Sequence, residues 1–298
     1  MKLINRTQIE KPDKVYNLHV SKNHNYIANS IVVSNCHGAK AAKLHEMLVD
    51  YGPNIVHRFG LTGTLPKDAC ELMNVHVSLG NVIDEYSTIS LIEKEWLARP
   101  NIEVVQLNDS KFLLDNNVEP EKLLYEEEEH FFKVNPTRTR FIADFIAKKR
   151  DRSKLGNCLV LVNTIQYGKD LHALIPNSFV LNGSDKVKLR KQVYDLFETN
   201  NDIIVICTKQ IAGVGLSIDR IFNLIYIDGG KSFINTMQQI GRGLRKSSDK
   251  DEIDIFDICS NLNSASGRMK KRITYYKEAQ YPFRKYVLDY SKEQNDIS

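Results

Sequence analysis

The amino-acid sequence predicts an α/β protein whose largest part is an open parallel sheet covered by helices. From about residue 136 onward, short apolar runs rich in Val and Ile alternate with amphipathic stretches of helical length. The apolar runs are continuous rather than interrupted at every second position, as in strands buried on both faces of a parallel sheet. Alternation of strands and helices on this scale indicates βαβ units.

The individual elements follow from these patterns. We expect five strands, at residues 158–162, 179–181, 203–206, 224–227 and 255–258. We expect the helices between and before them at residues 139–149, 167–174, 186–197 and 233–242. Together these elements define residues 136–260 as one α/β domain.

The rest of the chain divides into four shorter parts. Residues 1–35 contain apolar runs at 15–20 and 31–33 around a polar turn, which predicts a small β unit. Residues 36–100, with an expected helix at 39–49 and strand at 56–61, are too short to bury a core alone and predict a partial domain. Residues 101–135 contain four consecutive glutamates, so we expect a solvated helix face or mobile connector.

Residues 261–298 follow a polar, Gly-containing stretch that we expect to be a flexible break. Basic residues alternate there with aromatic ones, which allows two interpretations. The basic groups could follow phosphates while the aromatic rings stack on bases. Alternatively, a C-terminal helix docks its aromatic side chains on the core.

Composition excludes several classes of protein. The hydrophobic share of 42% and charged share of 26% are those of an ordinary globular protein, and the net charge of +4 permits nucleic-acid binding without requiring it. No apolar run is long enough for a membrane span, and the first residues lack a signal-peptide core. We therefore expect a cytoplasmic protein, in the host cytoplasm if it is viral, without a membrane partner. The five cysteines are dispersed and form no CxxC pair, which argues against disulfides and a metal site.

The strongest functional cluster lies in the expected helix near residue 240. Gln238, Arg242 and Arg245 recur at spacings of four and three, which places them on one helical face. Two guanidiniums and an amide together suit phosphate oxygens. Arginines that reach a γ-phosphate across a domain gap stabilise transition-state charge.

A second cluster directly follows a predicted buried strand. Residues 208–219 contain Gly213 and Gly215, which would let the backbone approach a phosphate. Residues 208–219 resemble motif V of superfamily 2 helicases, and the cluster near residue 240 resembles motif VI, in the order that these motifs have in the family. Thr62-Gly63-Thr64 resembles motif III, residues 158–170 lie at the place of motif IV, and Cys36-His37 resembles the end of a DExH-type motif II without its Asp-Glu.

The ordered set covers about residues 36–260 and is most similar to phage UvsW-type DNA helicases, which implies a role in DNA recombination or repair. The resemblance implies a RecA-like domain 2 with part of a RecA-like domain 1, DNA as partner, and ATP and Mg²⁺ as cofactors. It implies nucleotide contacts by Gly215, Asp219, Arg242 and Arg245, and domain coupling by His37, Gln238, Thr62, Gly63 and Thr64. It implies nucleic-acid contacts by Asn163, Thr164, Thr208 and Lys209.

A helicase motor needs a P-loop, G-x-x-x-x-G-K-[ST], to hold the β- and γ-phosphates. The nearest match is Gly230-Lys231-Ser232, but Ile225 stands where the leading glycine belongs. We interpret residues 228–230 as a tight strand-to-helix turn. The sequence therefore carries the second half of an ATP site and lacks the first.

The residues before this helicase-like region suggest self-processing chemistry. At the Asn35-Cys36 pair, the Asn amide can attack its own carbonyl and break the following bond, and the Cys thiolate can attack an upstream thioester. His24 could assist by proton transfer.

Residues 15–35 followed by Cys36 resemble the C-terminal splicing region of inteins, with a His-Asn-aromatic triplet at 24–26 and a terminal Asn before Cys. Ser34 and Asn17 replace the His and Asp that are common there. Because Met1 lies so close, the segment resembles the C-terminal half of a split intein. This resemblance implies an N-terminal partner chain that carries the P-loop and the Asp-Glu of motif II. One alternative is a free-standing helicase C-terminal domain that binds DNA and never splices. Another is an unspliced fragment with no activity.

Overall fold

The computed structural model describes residues 25–28, 31–35, 46, 49–50, 58–61, 65–66, 68–152, 156–183, 185, 192–193, 195–197, 199–208, 220–230 and 249–290. The chain divides into two compact units between Asp84 and Glu85. Among the described helices, none is both long and apolar enough to cross a bilayer.

The first unit contains a three-stranded sheet made of β1 (Asn25–Ala28), β2 (Ile31–Asn35) and β3 (Arg58–Leu61). Strands β1 and β2 are antiparallel, whereas β2 and β3 are parallel, with Asn35 opposite Leu61. The strands expected at 31–33 and 56–61 are thus confirmed, and the one expected at 15–20 lies outside the described residues. Strands β2 and β3 lie on either side of the domain boundary expected at residue 35, so this sheet contains residues from both of the expected parts.

Helix α1 (Ala69–Leu79) completes the described part of this unit. It begins where the Asp68 side chain accepts a hydrogen bond from the Glu71 backbone nitrogen at 3.0 Å, which caps the first turn. It ends at Gly80, whose φ of 91° suits a residue without a side chain.

The second unit is built on a seven-stranded sheet in which every pairing is parallel. In spatial order the strands are β10 (Phe283–Leu288), β4 (Arg99–Leu107), β9 (Glu252–Ser260), β8 (Asn223–Ile227), β5 (Cys158–Val162), β7 (Ile204–Thr208) and β6 (Ser178–Leu181). All five predicted strands are confirmed. The central strands β5, β7 and β8 are buried at every position, as the continuous apolar runs require.

Helices cover both faces of this sheet. The described ones are α2 (Thr88–Glu93), α3 (Asp109–Asp115), α4 (Tyr125–Val134), α5 (Pro136–Arg152), α6 (Ile165–Leu174) and α7 (Asn263–Glu278). Successive side chains of β5 point to opposite faces, and they contribute to two separate apolar clusters. One cluster includes α5 and α6 through Ile142 and Leu171, and the other includes α7 through Met269.

The connector expected at residues 101–135 is instead part of the domain. Strand β4 begins before the expected boundary at residue 100 and lies between β10 and β9. The glutamate run lies in the N-terminal half of α4, and three of its members have defined contacts. Glu127 accepts from the Leu124 nitrogen at 2.7 Å, the buried Glu128 accepts from the Ser264 nitrogen at 3.1 Å, and Glu129 pairs with Arg268 at 2.7 Å. The contacts of Glu128 and Glu129 bind α4 to α7. Glu126 and Glu127 are exposed, as expected of a solvated helix face, whereas the buried Glu128 shows that the run is not solvated throughout.

The C-terminal part of the chain is also integral to this unit. The flexible break expected near Asn261 is ordered, because its side chain accepts hydrogen bonds from both the nitrogen and the hydroxyl of Ser110. Tyr276 and Tyr281 are buried in the apolar cluster beside α7. Of the two interpretations of the tail, docking of its aromatic residues on the core is confirmed.

Candidate functional site

The carboxyl ends of the parallel strands meet at one edge of the seven-stranded sheet, the edge at which ligands bind in open α/β sheets. Strand β5 lies between β8 and β7, and Val162 at its end pairs with Thr208 at the end of β7. Asn163 and Thr164 follow directly. The structure therefore brings three of the predicted nucleic-acid contacts, Asn163, Thr164 and Thr208, to the same edge.

Two of these residues have clear local roles. Thr164 caps helix α6, and its hydroxyl accepts from the Tyr167 nitrogen at 3.3 Å. The exposed Asn163 donates its side-chain amide to the carbonyl oxygen of Asp228 at 3.1 Å. Residue 163 thus ties the end of β5 to the turn that follows β8.

That turn comprises residues 228–230 and is hereafter called the 228–230 turn. Asp228 has a φ of 46°, a left-handed conformation that is uncommon for a residue with a side chain. Gly229 lies against the ring of Tyr226, because a Cβ at this position would come within 2.0 Å of Cε1. The chain bends at Asp228 directly after the strand, as predicted, and the helix expected beyond the turn lies outside the described residues.

A buried arginine from helix α5 holds the side chain of Asp228. Arg138 has no exposed surface and donates from Nη1 and Nη2 to the two carboxylate oxygens of Asp228, at 2.9 and 2.8 Å. Its Nε donates to Asp109 at 3.3 Å, and the hydroxyl of Tyr290 donates to the same Asp109. Two buried carboxylates therefore share one guanidinium.

A second buried arginine, from helix α7, holds the backbone of the same turn. Arg272 donates from Nε and Nη2 to the carboxylate of Asp257 at 2.8 and 2.7 Å. Its Nη1 donates to the carbonyl oxygens of Gly229 at 2.6 Å and Gly230 at 3.3 Å. Tyr276 adds a hydroxyl donor to Asp257 at 2.9 Å.

Burial and neighbouring charges shift the pKa values of these buried groups in opposite directions. Burial raises the pKa of Asp109, against the lowering effect of Arg138. Burial alone would lower the pKa of Arg138, but the carboxylates of Asp228 and Asp109 raise it well above its usual value. Burial raises the pKa of Tyr167 to about 12. Both tyrosine and arginine therefore keep their protons at neutral pH.

Most of the other predicted site residues lie outside the described residues. Asn35 is described as the last residue of β2. The remainder are His24, Cys36, His37, Thr62, Gly63, Thr64, Lys209, Gly215, Asp219, Gln238, Arg242 and Arg245. Their assigned roles stay predictions.

Sequence reasoning did not find the buried ionic residues around the 228–230 turn. Arg138 and Asp228 are 90 residues apart in the chain, so no local motif joins them. The available signal was a polar Asp-Gly-Gly stretch directly after a buried strand, which indicates a constrained turn but not its partners. Within the described ranges, no group of three or more His, Cys, Asp or Glu side chains could hold a metal ion.

The second unit contains a match to a known domain family. Residues 138–247 match the helicase conserved C-terminal domain, and this part of the chain is a RecA-like helicase C-terminal domain with a parallel sheet. The match covers the predicted motifs IV to VI.

Particular relatives point in the same direction. The chain is 22% identical over 246 residues to the ATP-dependent DNA helicase uvsW of Enterobacteria phage T4, covering 80% of this chain and 48% of the relative. It is 24% identical over 249 residues to putative helicase 22 of Sulfolobus islandicus filamentous virus, covering 78% of this chain and 43% of the relative. The chain thus spans less than half the length of these curated relatives.

Solved structures share the fold. The crystal structure of T4 UvsW superimposes with a TM-score of 0.54 at 17% identity, covering 87% of this chain and 53% of that chain. A fragment of a putative HsdR subunit of a type I restriction enzyme from Vibrio vulnificus superimposes with a TM-score of 0.64 at 16% identity, covering 88% of this chain and 48% of that chain. The predicted relation to UvsW-like helicases is confirmed at the level of the C-terminal domain, whereas the intein resemblance of residues 1–35 stays a prediction.

Proposed function

We propose that this chain supplies the C-terminal part of an ATP-dependent DNA helicase or translocase. The observation that carries the proposal is the arrangement at the carboxyl edge of the helicase C-terminal domain. There Asn163, Thr164 and Thr208 lie at one edge of the sheet, and Asn163 is bonded to the 228–230 turn, which leads directly into residues 231–248. The names of the two curated relatives, both helicases, support the same activity.

In this proposal, each group of residues has a separate task. Asn163, Thr164, Thr208 and Lys209 hold the sugar-phosphate backbone of DNA without reading its sequence. Gly215 and Asp219 contact the nucleotide. Arg242 and Arg245 place positive charge against its γ-phosphate, where negative charge develops during hydrolysis. His37, Gln238 and Thr62-Gly63-Thr64 connect nucleotide contacts to movement of the domains.

The cofactors fit this chain only in part. ATP, when bound, supplies the phosphoryl group whose transfer to water drives movement, and the arginine-rich donor set of residues 242–245 suits its polyphosphate. The described residues offer no carboxylate cluster for Mg²⁺, so the chain's own residues have no assigned step through the metal. The 298-residue sequence also contains no G-x-x-x-x-G-K-[ST] motif. In this proposal the P-loop is supplied from outside these 298 residues.

We further propose that this partner is joined by protein trans-splicing. The specific observation is that β2 ends at Asn35, directly before Cys36, and pairs in parallel with β3, which leads to Thr62. In a ligated chain, the residues directly before Cys36 come from the partner. They would take the place of β2 beside β3 and put Asp-Glu where Ser34-Asn35 now lie.

The splicing chemistry assigns one step to each residue. The Cys36 thiolate attacks the partner's thioester, which transfers the partner's acyl group to Cys36 and releases the partner's thiol. The Asn35 side-chain amide then attacks its own carbonyl, and the intein leaves with a C-terminal succinimide. The freed Cys36 amine finally attacks the thioester, forms the amide and regenerates the thiol. His24 assists by proton transfer.

The test combines this chain with a candidate partner that contains a P-loop and ends in Asp-Glu followed by an N-terminal intein half. A ligated product with Asp-Glu directly before Cys36, together with DNA-stimulated ATP hydrolysis, is expected. Cys36→Ala should abolish ligation, and Asn35→Ala should stop it at a branched thioester that hydroxylamine cleaves. Full ligation by Asn35→Ala would contradict the splicing mechanism. DNA binding by the chain without any ligated product would instead favour a free-standing DNA-binding module.

A further inference from the structure

The 228–230 turn is held at its backbone and its side chain by groups from several elements. The Asp228 nitrogen donates to the carbonyl oxygen of Ile258 at 2.8 Å, and the Asp228 carbonyl oxygen accepts from Asn163 at 3.1 Å. Its carboxylate receives two hydrogen bonds from Arg138. The next two carbonyl oxygens accept from Arg272. A left-handed, sterically confined turn persists only when its surroundings determine it in this way.

The two arginines reach the turn from opposite faces of the sheet. Arg138 lies on α5, whose apolar side chains belong to one cluster, and Arg272 lies on α7, whose apolar side chains belong to the other. Both guanidiniums are buried and also bonded to a carboxylate outside the turn, Asp109 for Arg138 and Asp257 for Arg272. The turn is thus clamped between two fixed groups.

Stability alone does not explain such an arrangement. Taking a charged pair out of water is expensive, and well-packed apolar residues of similar volume often stabilise a fold as well or better. Each guanidinium instead offers a planar fork that fixes direction as well as distance. We therefore interpret the two buried guanidiniums as groups that fix the geometry of the 228–230 turn.

We propose that Arg138 and Arg272 are positioning residues that fix where the arginine-bearing segment begins. The 228–230 turn leads directly into residues 231–248, which contain Gln238, Arg242 and Arg245. The inference rests on the proposed function, because it assigns a purpose to the position of Arg242 and Arg245. Neither Arg138 nor Arg272 contacts the nucleotide in this account.

The Asn163 hydrogen bond gives this positioning a reference point. Asn163 belongs to the proposed DNA-contacting group, and its amide is bonded to the first residue of the turn. The start of the arginine-bearing segment is thereby set relative to the site that holds DNA. A displacement of the turn would change the place of Arg242 without removing any group that contacts ATP.

The first measurement uses the ligated enzyme and the variants Arg138→Lys and Arg272→Lys. Lysine keeps the charge but cannot form the fork. A displacement of about 1 Å at a reacting centre costs roughly 10²-fold in rate. We therefore expect kcat for DNA-stimulated ATP hydrolysis to fall by about that factor, while KM for ATP changes less than about threefold. Arg140→Lys, an exposed position on the same helix as Arg138, is the matched control and should retain wild-type kinetics.

The second measurement uses hydrogen exchange in the 298-residue chain, which requires no activity. In both lysine variants, peptides covering residues 231–248 should exchange faster, while those covering β5 and β7 keep wild-type protection. Equal acceleration throughout the domain would show a merely structural role and overturn the proposal, as would unchanged kcat and unchanged exchange. In the wild type, exchange of residues 231–248 at the rate of an unfolded chain would also contradict the proposal, because the segment would then have no fixed position. A ligated wild type without ATP hydrolysis would instead contradict the proposed function, and the exchange result alone would then decide the positioning role.

Discussion

Arg138 and Asp228 are 90 residues apart in the chain, and their side chains form a two-pronged ion pair with N–O distances of 2.9 and 2.8 Å. Neither side chain is appreciably exposed, at 0% and 5%. The same guanidinium also contacts Asp109. The pair therefore connects helix α5 to the end of β8, and several consequences of its burial can be measured.

Arg138→Met should strongly destabilise the chain. Removing one partner of a buried ion pair costs roughly 3–5 kcal/mol, because the remaining charge stays buried without compensation. Here two carboxylates, Asp109 and Asp228, would lose their shared guanidinium. The free energy of unfolding from urea denaturation should fall by that amount. Arg140→Met on the exposed side of the same helix should change it by less than about 0.5 kcal/mol. A loss below about 1 kcal/mol in Arg138→Met would contradict the buried network.

The adjacent glycines of the turn should respond differently to the same substitution. Gly229→Ala places a Cβ about 2.0 Å from the Tyr226 ring, which cannot be accommodated without moving the ring or the turn. Forced overpacking of this kind costs roughly 1–3 kcal/mol. A Cβ at Gly230 meets no atom within 4 Å, so Gly230→Ala is the matched control. Thermal denaturation should show a lower Tm for Gly229→Ala alone, and equal Tm values for the two variants would refute the close packing.

The free energy of unfolding should fall at alkaline pH because Tyr167 is buried. Its pKa is raised from 10.0 to about 12 by burial, so the folded state retains the proton more strongly than the unfolded state. The stabilisation is therefore fully present below pH 10 and is lost as pH rises from 10 towards 12. A Tyr167→Phe variant has no proton to lose. Between pH 9 and pH 11.5, the free energy of unfolding of the wild type should fall by about 2 kcal/mol more than that of Tyr167→Phe. Parallel pH profiles would show that Tyr167 ionises as freely as an exposed tyrosine.

The sheet was predictable where its strands are buried on both faces. The apolar runs at β5, β7 and β8 are uninterrupted, and all three strands form as expected. Strands β4 and β10 were missed for a physical reason. Asn101 and Glu103 interrupt the apolar pattern of β4, and β10 is an edge strand whose Arg284 and Lys285 face solvent. Edge strands and their neighbours carry polar residues, so a search for continuous apolar runs overlooks them.

The site was predictable only where its residues adjoin a strand end. Asn163, Thr164 and Thr208 follow or end predicted strands, and parallel pairing alone brings them together. Arg138 and Arg272 stand among other polar residues on helices and resemble solvent-facing arginines in the sequence. Their partners lie 90 and 15 residues away, Asp228 directly after β8 and Asp257 within β9, and only the folded sheet brings them near.

Arg242→Ala should separate the two proposed activities. The loss of an arginine that faces the γ-phosphate should lower the ATP hydrolysis rate of the ligated enzyme by roughly 10³-fold. Ligation itself should proceed at the wild-type rate, because the splicing residues end at Cys36. The matched control is Arg140→Ala, which should preserve both activities. Failure of Arg242→Ala to ligate would contradict the division of the chain at residue 35.

The central claim is that this chain holds the second half of an ATP site and works only when joined to the first. The most direct measurement compares DNA-stimulated ATP hydrolysis by the purified 298-residue chain with hydrolysis by the ligated product. The chain alone should show no turnover above background, because its sequence contains no P-loop, whereas the ligated product should hydrolyse ATP in response to DNA. DNA-stimulated turnover by the chain alone, abolished by Arg242→Ala, would contradict the account.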